Sequence, residues 1–368
     1  MGGILNTVKI VVTGGSGYLG TKLVNVLSSL NYEVTSFDSE YFSNCWLGPK
    51  TSNKEQLLFA QSIVPSNLEG IDGVIHLAGI SNDPLKQIAE SELYDPSLDY
   101  TLKLAKLCRD MEIRFFYASS CSVYGKQNQT ADENSPISPQ TPYSANKEKI
   151  EKILLTLSTE DWKPLILRFA TVYGPSPRMR FDTVVNMFCG LSIVESCIAL
   201  NSNGEALRPF LFIDDGIAVI EWFLRLSNYS FRHVLGNRPI FNVGTDESNI
   251  SINGLAELVS ALSGNVPIKS LTDIENGRDV LQDRKIREGV DSRSYRVSFD
   301  KLKNVLPNDF VFCSLDEGIT RTINYLKFLP LDSDTFYSSR YYRLQYLEKL
   351  IDLCILDSSL RYTQENDN

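Results

Sequence analysis

A glycine-rich segment near the start of the chain leaves few folds open. The run "VKIVVTG" (8–14) is apolar and β-branched, and the glycines of "GGSGYLG" (14–20) follow it directly. Gly14, Gly17 and Gly20 are spaced as in a strand-to-helix turn whose backbone approaches a pyrophosphate closely. The N-terminus of the helix that follows favours phosphate, because its N–H groups are free and carry partial positive charge. The segment therefore predicts a dinucleotide-binding unit.

The second predicted strand, "EVTSFD" (33–38), adds a choice of cofactor. Asp38 ends this strand, 24 residues after Gly14, where an acid commonly binds a ribose 2′-hydroxyl. A carboxylate at this point also repels a 2′-phosphate. The sequence therefore predicts NAD in preference to NADP.

Further apolar runs at 73–79, 114–120 and 164–174 alternate with helical patterns. Continuous apolar runs suit strands covered on both faces, so we expect an α/β fold with a Rossmann-type, doubly wound parallel sheet. A smaller C-terminal substrate-binding lobe follows. The predicted division is an NAD-binding domain over 1–175, to which 208–245 returns, a lobe from 176–207 and 246–330, and a C-terminal helical extension over 331–368.

Composition excludes several other classes of protein. The chain of 368 residues has a formal net charge of −9, which disfavours a nucleic-acid or anionic-membrane binder. Its seven cysteines have no CxxC pair and it has only two histidines, so we expect no metal site. No signal peptide is evident, and no apolar run reaches the roughly 20 residues that span a bilayer. We therefore expect a cytoplasmic protein.

The segment "TPYSANKEK" (141–149) places Tyr143 and Lys147 four residues apart at the start of a predicted helix. An unperturbed tyrosine has a pKa near 10, so it acts as a base at neutral pH only beside positive charge. Lys147 lies one helical turn further on the same face and can supply that charge. Ser120, in "YASSCSVYG", follows a predicted strand at the edge where open α/β sheets bind ligands.

In the order and spacing of seven motifs, residues 8–328 resemble the extended short-chain dehydrogenases/reductases, in their nucleotide-sugar epimerase/dehydratase branch. The motifs are "TGGSGYLG", "HLAG", "SSCSVYG", "YSANK", "RFATVYGP", "RPFLFIDD" and "FNVG". The resemblance implies a catalytic triad of Ser120, Tyr143 and Lys147. It also implies a nucleotide-diphosphate sugar as substrate and a homodimer.

The same resemblance assigns two sets of binding residues. The cofactor-binding residues are predicted to be Gly14, Ser16, Gly17, Tyr18, Leu19, Gly20, Asp38, Ser39, Leu77, Ala78, Gly79, Tyr143 and Lys147. The substrate-binding residues are predicted to be Ser122, Thr171, Arg180, Asn186, Arg208 and Arg293, with Arg178 as a further basic candidate.

Some positions depart from the pattern of similar proteins. Ser97 replaces the usual helix asparagine, and Gln61 and Ser62 stand where an acid often lies near the adenine. Cys121 and Ser122 replace the Asp-Glu pair of related dehydratases, so 4,6-dehydration is disfavoured.

Three functions remain open. The first is an NAD-dependent nucleotide-sugar epimerase or dehydrogenase that transfers hydride at C4 through a 4-keto intermediate. The second is an NADP-dependent nucleotide-4-ketosugar reductase, which Asp38 disfavours. The third is a non-catalytic cofactor-binding scaffold of the same fold.

Overall fold

The computed structural model describes residues 7–48, 55–57, 62–81, 90–270 and 294–363. The first half alternates strands and helices: β1 (Lys9–Thr13), α1 (Tyr18–Ser29), β2 (Glu33–Asp38), β3 (Glu55–Leu57), β4 (Gly73–His76), α2 (Glu90–Asp110), β5 (Arg114–Ser120), α3 (Pro142–Thr156) and β6 (Leu165–Phe169). The second half contains β7 (Thr171–Tyr173), α4 (Val184–Val194), β8 (Ile198–Leu200), β9 (Leu207–Phe212), α5 (Ile213–Arg225), α6 (Asn228–Leu235), β10 (Ile240–Val243), β11 (Asn249–Ser251), α7 (Ile252–Leu262) and β12 (Ile268–Ser270). The C-terminal part contains α8 (Asp300–Lys303), α9 (Leu315–Phe328), α10 (Ser333–Phe336) and α11 (Arg343–Asp352).

The main sheet has seven strands in the order β10-β6-β5-β4-β1-β2-β3, and every neighbouring pair is parallel. Strand β1 shows how both faces are covered. Ile10 and Val12 belong to the apolar core that includes α1 and α5, whereas Val11 belongs to the core that includes α2 and α3. Successive side chains of a strand point to opposite faces, so helices cover both sides. The predicted doubly wound parallel fold is confirmed.

The run predicted as one strand over 164–174 is divided in two. Strand β6 ends at Phe169, and β7 begins at Thr171 in a different sheet, where it pairs with β9. That second sheet has the order β11-β9-β7, and β8 and β12 form a two-stranded sheet. Apolar composition alone could not reveal the break at Ala170, because the run stays mostly apolar from β6 into β7.

The chain beyond β6 divides its elements between the main sheet and the smaller ones. Strand β9 lies in the three-stranded sheet, α5 packs on α1, and β10 forms an edge of the main sheet beside β6. Helices α4, α7 and α9 pack on one another. Among the described residues, no helix combines the length and the apolar composition needed to cross a membrane. Because parallel strands align their carboxyl ends, the loops after β1, β2, β4, β5 and β6 meet at one edge of the sheet.

Candidate active site

The turn between β1 and α1 is held tightly against the end of β4. Gly14 has φ +74°, and its N–H donates to the Phe37 carbonyl at 2.8 Å. A Cβ atom at Gly14 would lie 2.7 Å from the Ala78 backbone nitrogen, and one at Gly20 would collide with the Gly14 carbonyl. Both positions therefore require glycine, for conformation in one case and for close packing in the other.

The N-terminus of α1 is open to an anion. Gly17 is the N-cap residue, no side chain caps the helix, and its first turn contains no acid. A helix N-terminus of this kind offers backbone N–H groups and partial positive charge to a phosphate. Tyr18 anchors the turn from the other side, because its hydroxyl donates to the Gly174 carbonyl at 2.6 Å. This turn fits the pyrophosphate of a dinucleotide.

Asp38 lies at the carboxyl end of β2, beside the same turn. Its carboxylate accepts hydrogen bonds from the backbone N–H of Ser16 at 3.0 Å and of Glu40 at 2.9 Å. Burial, with the charge of Glu40, raises the pKa of Asp38 to about 6, although these two N–H donors oppose the rise. The group is thus ionised at neutral pH and lies where the predicted ribose contact requires it. The carbonyl of the neighbouring Ser39 accepts from Tyr362.

The segment Leu77–Gly79 follows β4 and faces the glycine-rich turn. The Leu77 N–H donates to the Thr13 carbonyl at 3.0 Å, and the Ala78 N–H lies 3.4 Å from the Thr13 hydroxyl. Gly79 has φ +150°. Leu77, Ala78 and Gly79 thus lie along the same edge of the sheet as Gly14.

A buried polar chain runs from this segment to α2. The Thr13 hydroxyl lies 2.6 Å from His76 Nδ1, and His76 Nε2 lies 2.8 Å from the Thr101 hydroxyl, which donates to the Ser97 carbonyl. Burial, and then the charge of Lys147, lowers the pKa of His76 to about 3. His76 is therefore neutral and acts as a structural link.

Ser97 connects α2 to α3, the helix that contains Tyr143 and Lys147. Its hydroxyl donates to the side-chain oxygen of Asn146 at 3.0 Å, and both side chains are buried. Asn146 belongs to the "YSANK" segment itself. The serine that replaces the expected asparagine on α2 therefore still makes a polar contact with α3.

Helix α3 begins where the sequence predicts. Thr141 is the N-cap residue, and its side chain and that of Ser144 form a capping box. The Lys147 ammonium donates to the Ala118 carbonyl at 2.7 Å, and it lies 5.7 Å from the centroid of the Tyr143 ring. Burial lowers the pKa of Lys147 to about 8, while the charge of Glu151 opposes the shift. Lys147 is thus a cation at neutral pH, held beside Tyr143 at the carboxyl end of β5.

Ser120 ends β5, and its hydroxyl oxygen accepts from the Ser122 N–H at 3.2 Å. The Ser122 hydroxyl is buried and has no hydrogen-bond partner among the described residues. Between them, the Cys121 thiol donates to the Arg168 carbonyl at 3.1 Å. Burial raises the pKa of Cys121, so this side chain is a neutral thiol and supplies neither acid nor base.

Glu151 is a positioning residue that the sequence analysis missed. Its carboxylate accepts from the Arg168 guanidinium at 2.6 Å and from the Ser119 hydroxyl, with every partner buried. Burial alone would lower the pKa of Arg168, but the bonds to Glu151 and its charge raise it. The sequence signal for Glu151 was its four-residue spacing from Lys147, which repeats the spacing of Tyr143 and Lys147 on one helix face. The pair ties α3 to β5 and β6.

The predicted substrate residues that the structure describes come from several elements beyond β5. The Arg180 guanidinium pairs with Asp182 at 2.8 Å and donates to the Ser81 hydroxyl at 2.6 Å. Thr171 opens β7, and Arg208 lies on β9 with its guanidinium 5.1 Å from the Tyr295 ring centroid. Arg293 lies outside the described residues, as does Gln61.

Asn186 lies at the start of α4 and is fully buried. Its side-chain oxygen accepts from the Gly174 N–H at 3.0 Å, while its amide nitrogen donates to the Tyr18 hydroxyl at 3.1 Å and to the Arg180 carbonyl at 3.0 Å. Asn186 thus joins the cofactor turn to the Arg180 segment.

Comparison with known proteins agrees with this geometry. A sequence profile described as the NAD dependent epimerase/dehydratase family matches residues 10–244. The chain is 28% identical, over 346 residues, to an uncharacterized UDP-glucose epimerase of Bacillus subtilis, covering 87% of this chain and 98% of the relative. It is 26% identical, over 334 residues, to a putative UDP-glucose 4-epimerase of Methanocaldococcus jannaschii, covering 86% and 98%.

Solved structures share the fold. The UDP-glucuronic acid 4-epimerase of Bacillus cereus, solved with UDP-glucuronic acid and NAD, superposes with a TM-score of 0.68 at 22% identity, over 87% of this chain and 99% of that one. An NAD-dependent NDP-hexosamine 5,6-dehydratase of tunicamycin biosynthesis superposes with a TM-score of 0.71 at 22% identity, over 88% and 99%. The profile covers well over half of the chain and includes the glycine-rich turn, Ser120, Tyr143 and Lys147. The chain therefore belongs to the NAD dependent epimerase/dehydratase family of enzymes, whose cofactor is NAD.

Proposed function

We propose that this protein is a nucleotide-sugar epimerase or dehydrogenase that oxidises the sugar at C4 and passes through a 4-keto intermediate. The observation that carries the proposal is the position of Lys147, whose ammonium lies beside the Tyr143 ring and is fixed on the Ala118 carbonyl. The names of the two relatives described above, a UDP-glucose epimerase and a UDP-glucose 4-epimerase, support the same reaction class. The substrate is thus a nucleotide-diphosphate sugar.

Tyr143 acts as the base in this account. The positive charge of Lys147 favours the phenolate, which accepts the proton of the sugar 4-hydroxyl. NAD, when bound, would supply the acceptor for the hydride that leaves C4. Ser120, at the end of β5, hydrogen-bonds the same sugar oxygen and holds it near Tyr143. In the return step Tyr143 gives the proton back to the 4-keto oxygen, and hydride returned to the opposite face of the sugar inverts C4.

The residues of the turn and of α1 hold the cofactor. The N–H groups at the start of α1 bind its pyrophosphate, and the Asp38 carboxylate accepts from the ribose hydroxyls. A 2′-phosphate beside Asp38 would be repelled by the Asp38 carboxylate, next to which the Glu40 carboxylate already lies. This arrangement supports NAD in preference to NADP, and it disfavours the reductase alternative.

Elimination of water is the less favourable reaction at this site. Dehydration at C5 and C6 needs an acid and a base besides the tyrosine. The positions directly after Ser120 hold the buried thiol of Cys121 and the hydroxyl of Ser122, and burial raises the pKa of that thiol further. Ser122, whose buried hydroxyl has no partner among the described residues, stays a predicted sugar-binding residue.

The substrate side is built around Arg180 and α4. We assign Arg180 and Arg208 to the diphosphate of the nucleotide-sugar, because a planar guanidinium suits two phosphate oxygens. Thr171 and Arg293 stay predictions for the same region. Asn186 acts as a positioning residue, since its amide binds Gly174, Tyr18 and the Arg180 carbonyl. A cytoplasmic homodimer also stays a prediction.

The test is a substrate panel with product analysis. The purified protein is incubated with NAD and one nucleotide-sugar per reaction, chosen from UDP-glucose, dTDP-glucose and UDP-glucuronic acid. The sugar products are then analysed by NMR. We expect inversion or oxidation at C4 for at least one sugar, and no product with Tyr143→Phe. Turnover of 4-ketosugars with NADPH alone would favour the reductase. Tight NAD binding with no turnover of any sugar would favour the scaffold.

A further inference from the structure

The C-terminal segment, residues 331–363, lies against the loop that follows β2. The Tyr362 hydroxyl donates to the Ser39 carbonyl at 3.0 Å, and the Tyr41 hydroxyl donates to the Leu360 carbonyl at 2.6 Å. Leu347 and Leu350 of α11 belong to an apolar cluster against which Tyr143 packs. The segment therefore reaches both the cofactor end of the cleft and the catalytic tyrosine.

Arg343, the first residue of α11, is buried by this packing in an unusual way. Its side chain is 5% exposed, and neither of its two Nη nitrogens has a hydrogen-bond partner among the described residues. The guanidinium lies 4.0 Å from the centroid of the Phe42 ring. An arginine stays charged at neutral pH, even though burial and the charge of Arg180 lower the pKa of Arg343 to about 10. Buried charges in native proteins are normally paired, whereas the Nη nitrogens of this one have no hydrogen-bond partner in the described part of the chain.

Two ion pairs of described residues lie near Arg343. Arg178 pairs with Glu40 at 3.3 Å, and Arg180 pairs with Asp182 at 2.8 Å. The Asp182 carboxylate accepts from the Arg343 backbone N–H at 3.3 Å and also interacts electrostatically with the Arg343 guanidinium. Neither ion pair includes the Arg343 guanidinium, which has no salt-bridge partner among the described residues.

The residues around Arg343 come from segments that follow three different strands. Phe42 follows β2, Ser81 follows β4 and Arg180 follows β7, and Arg180 donates to the Ser81 hydroxyl. Arg180 is close enough to Tyr143 and to Tyr18 to interact with both electrostatically. Arg343, which interacts electrostatically with Arg180, therefore lies in the same region as the glycine-rich turn and the catalytic tyrosine.

We propose that Arg343 binds a nucleotide diphosphate in the cleft, so that the C-terminal segment supplies part of the binding site. A diphosphate offers anionic oxygens to both free Nη nitrogens at once, and an arginine fork matches that geometry. The diphosphate of NAD and that of a nucleotide-sugar share this chemistry. Only binding of the nucleotide-sugar diphosphate rests on the proposed function.

Arg343→Met tests the proposal, and Arg340→Met is its matched control. Arg340 lies on the same segment and loses the same charge, but its side chain is exposed. Affinities for NAD, UDP-glucose and dTDP-glucose are measured by calorimetry for the wild-type protein and both variants. We expect Arg343→Met to weaken binding of NAD or of a nucleotide-sugar about 10- to 100-fold, as for loss of charged hydrogen bonds. Arg340→Met should bind as the wild type does.

The probes separate the two sources of diphosphate. A loss confined to NAD assigns Arg343 to the cofactor, and a loss confined to a nucleotide-sugar assigns it to the substrate. If the wild-type protein binds no nucleotide-sugar, the proposed function fails, while a weakened NAD affinity in the variant still supports Arg343. Unchanged affinity of Arg343→Met for every probe that the wild type binds overturns the proposal.

Thermal unfolding without ligand detects a merely structural role. Arg343→Met removes an unpaired buried charge, so its ligand-free melting temperature should equal or exceed that of the wild type. Arg343→Lys keeps the charge without the fork and should lose only part of the affinity. A lowered ligand-free melting temperature together with wild-type affinities would show that Arg343 supports packing alone.

Discussion

The buried pair of Glu151 and Arg168 should be essential for the stability of the catalytic helix. Their side chains are 2% and 1% exposed, and Glu151 accepts from Arg168 Nη2 at 2.6 Å and from Arg168 Nε at 3.0 Å. Glu151→Ala removes both bonds and leaves a buried guanidinium with no countercharge. Breaking one side of a buried pair costs about 3–5 kcal/mol. We expect the free energy of unfolding to fall by that amount.

Glu148→Ala is the matched control, because it makes the same substitution in the same helix. Glu148 pairs with Lys152 at 2.7 Å, but the Lys152 side chain is 67% exposed. A pair of this kind contributes about 0.3–0.5 kcal/mol. Both variants change helix propensity equally, so the difference between them reports the buried pair.

The assay is chemical denaturation of the ligand-free proteins, followed by circular dichroism. Glu151→Ala should unfold at a much lower denaturant concentration than Glu148→Ala. The double variant Glu151→Leu with Arg168→Met should recover much of the loss, because it removes the orphaned charge as well. Equal midpoints for Glu151→Ala and Glu148→Ala would refute the reasoning.

Three further predictions concern the cofactor turn and the catalytic pair. Gly14→Ala should destabilise the protein more than Gly70→Ala does, as measured by thermal melts of both variants. Both glycines have positive φ, but only a Cβ atom at Gly14 would meet backbone, 2.7 Å from the Ala78 nitrogen. Affinity for NAD, measured by calorimetry, should fall up to about tenfold per pH unit below pH 6. The reason is that the pKa of Asp38 is about 6 and that its ionised form accepts hydrogen bonds from the ribose hydroxyls. Asp38→Asn should abolish this pH dependence. Lys147→Met should lower turnover by about 10²–10⁴-fold without lowering the melting temperature, and activity within tenfold of the wild type would count against its role.

The fold could be predicted because its signals are local. Gly14 and Gly20 mark the turn, and the apolar runs of β1, β4 and β5 indicate buried parallel strands without knowledge of distant residues. The end of β6 could not be found this way. Ala170 stands between strands of two different sheets, and only the pairing partners of each strand distinguish them.

The catalytic helix was predictable for the same reason, and its supports were not. Tyr143 and Lys147 show their relation in a single turn of helix, whereas the partner of Glu151 is an arginine inside an apolar strand. The contacts of Asn186 likewise depend on Tyr18, 168 residues away. The sequence alone does not distinguish Arg343 from an exposed basic residue of an amphipathic helix, because its burial depends on distant segments of the chain.

Reduction of the cofactor in a single turnover tests the central claim most directly. The protein is loaded with NAD, mixed with the nucleotide-sugar panel without further cofactor, and followed by the near-ultraviolet absorbance of reduced nicotinamide. For a sugar that binds, we predict a rise in this absorbance with the wild-type protein and none with Tyr143→Phe, which should still bind NAD and sugar. An equal rise in the variant, or no rise in the wild type with any bound sugar, would contradict hydride transfer assisted by Tyr143.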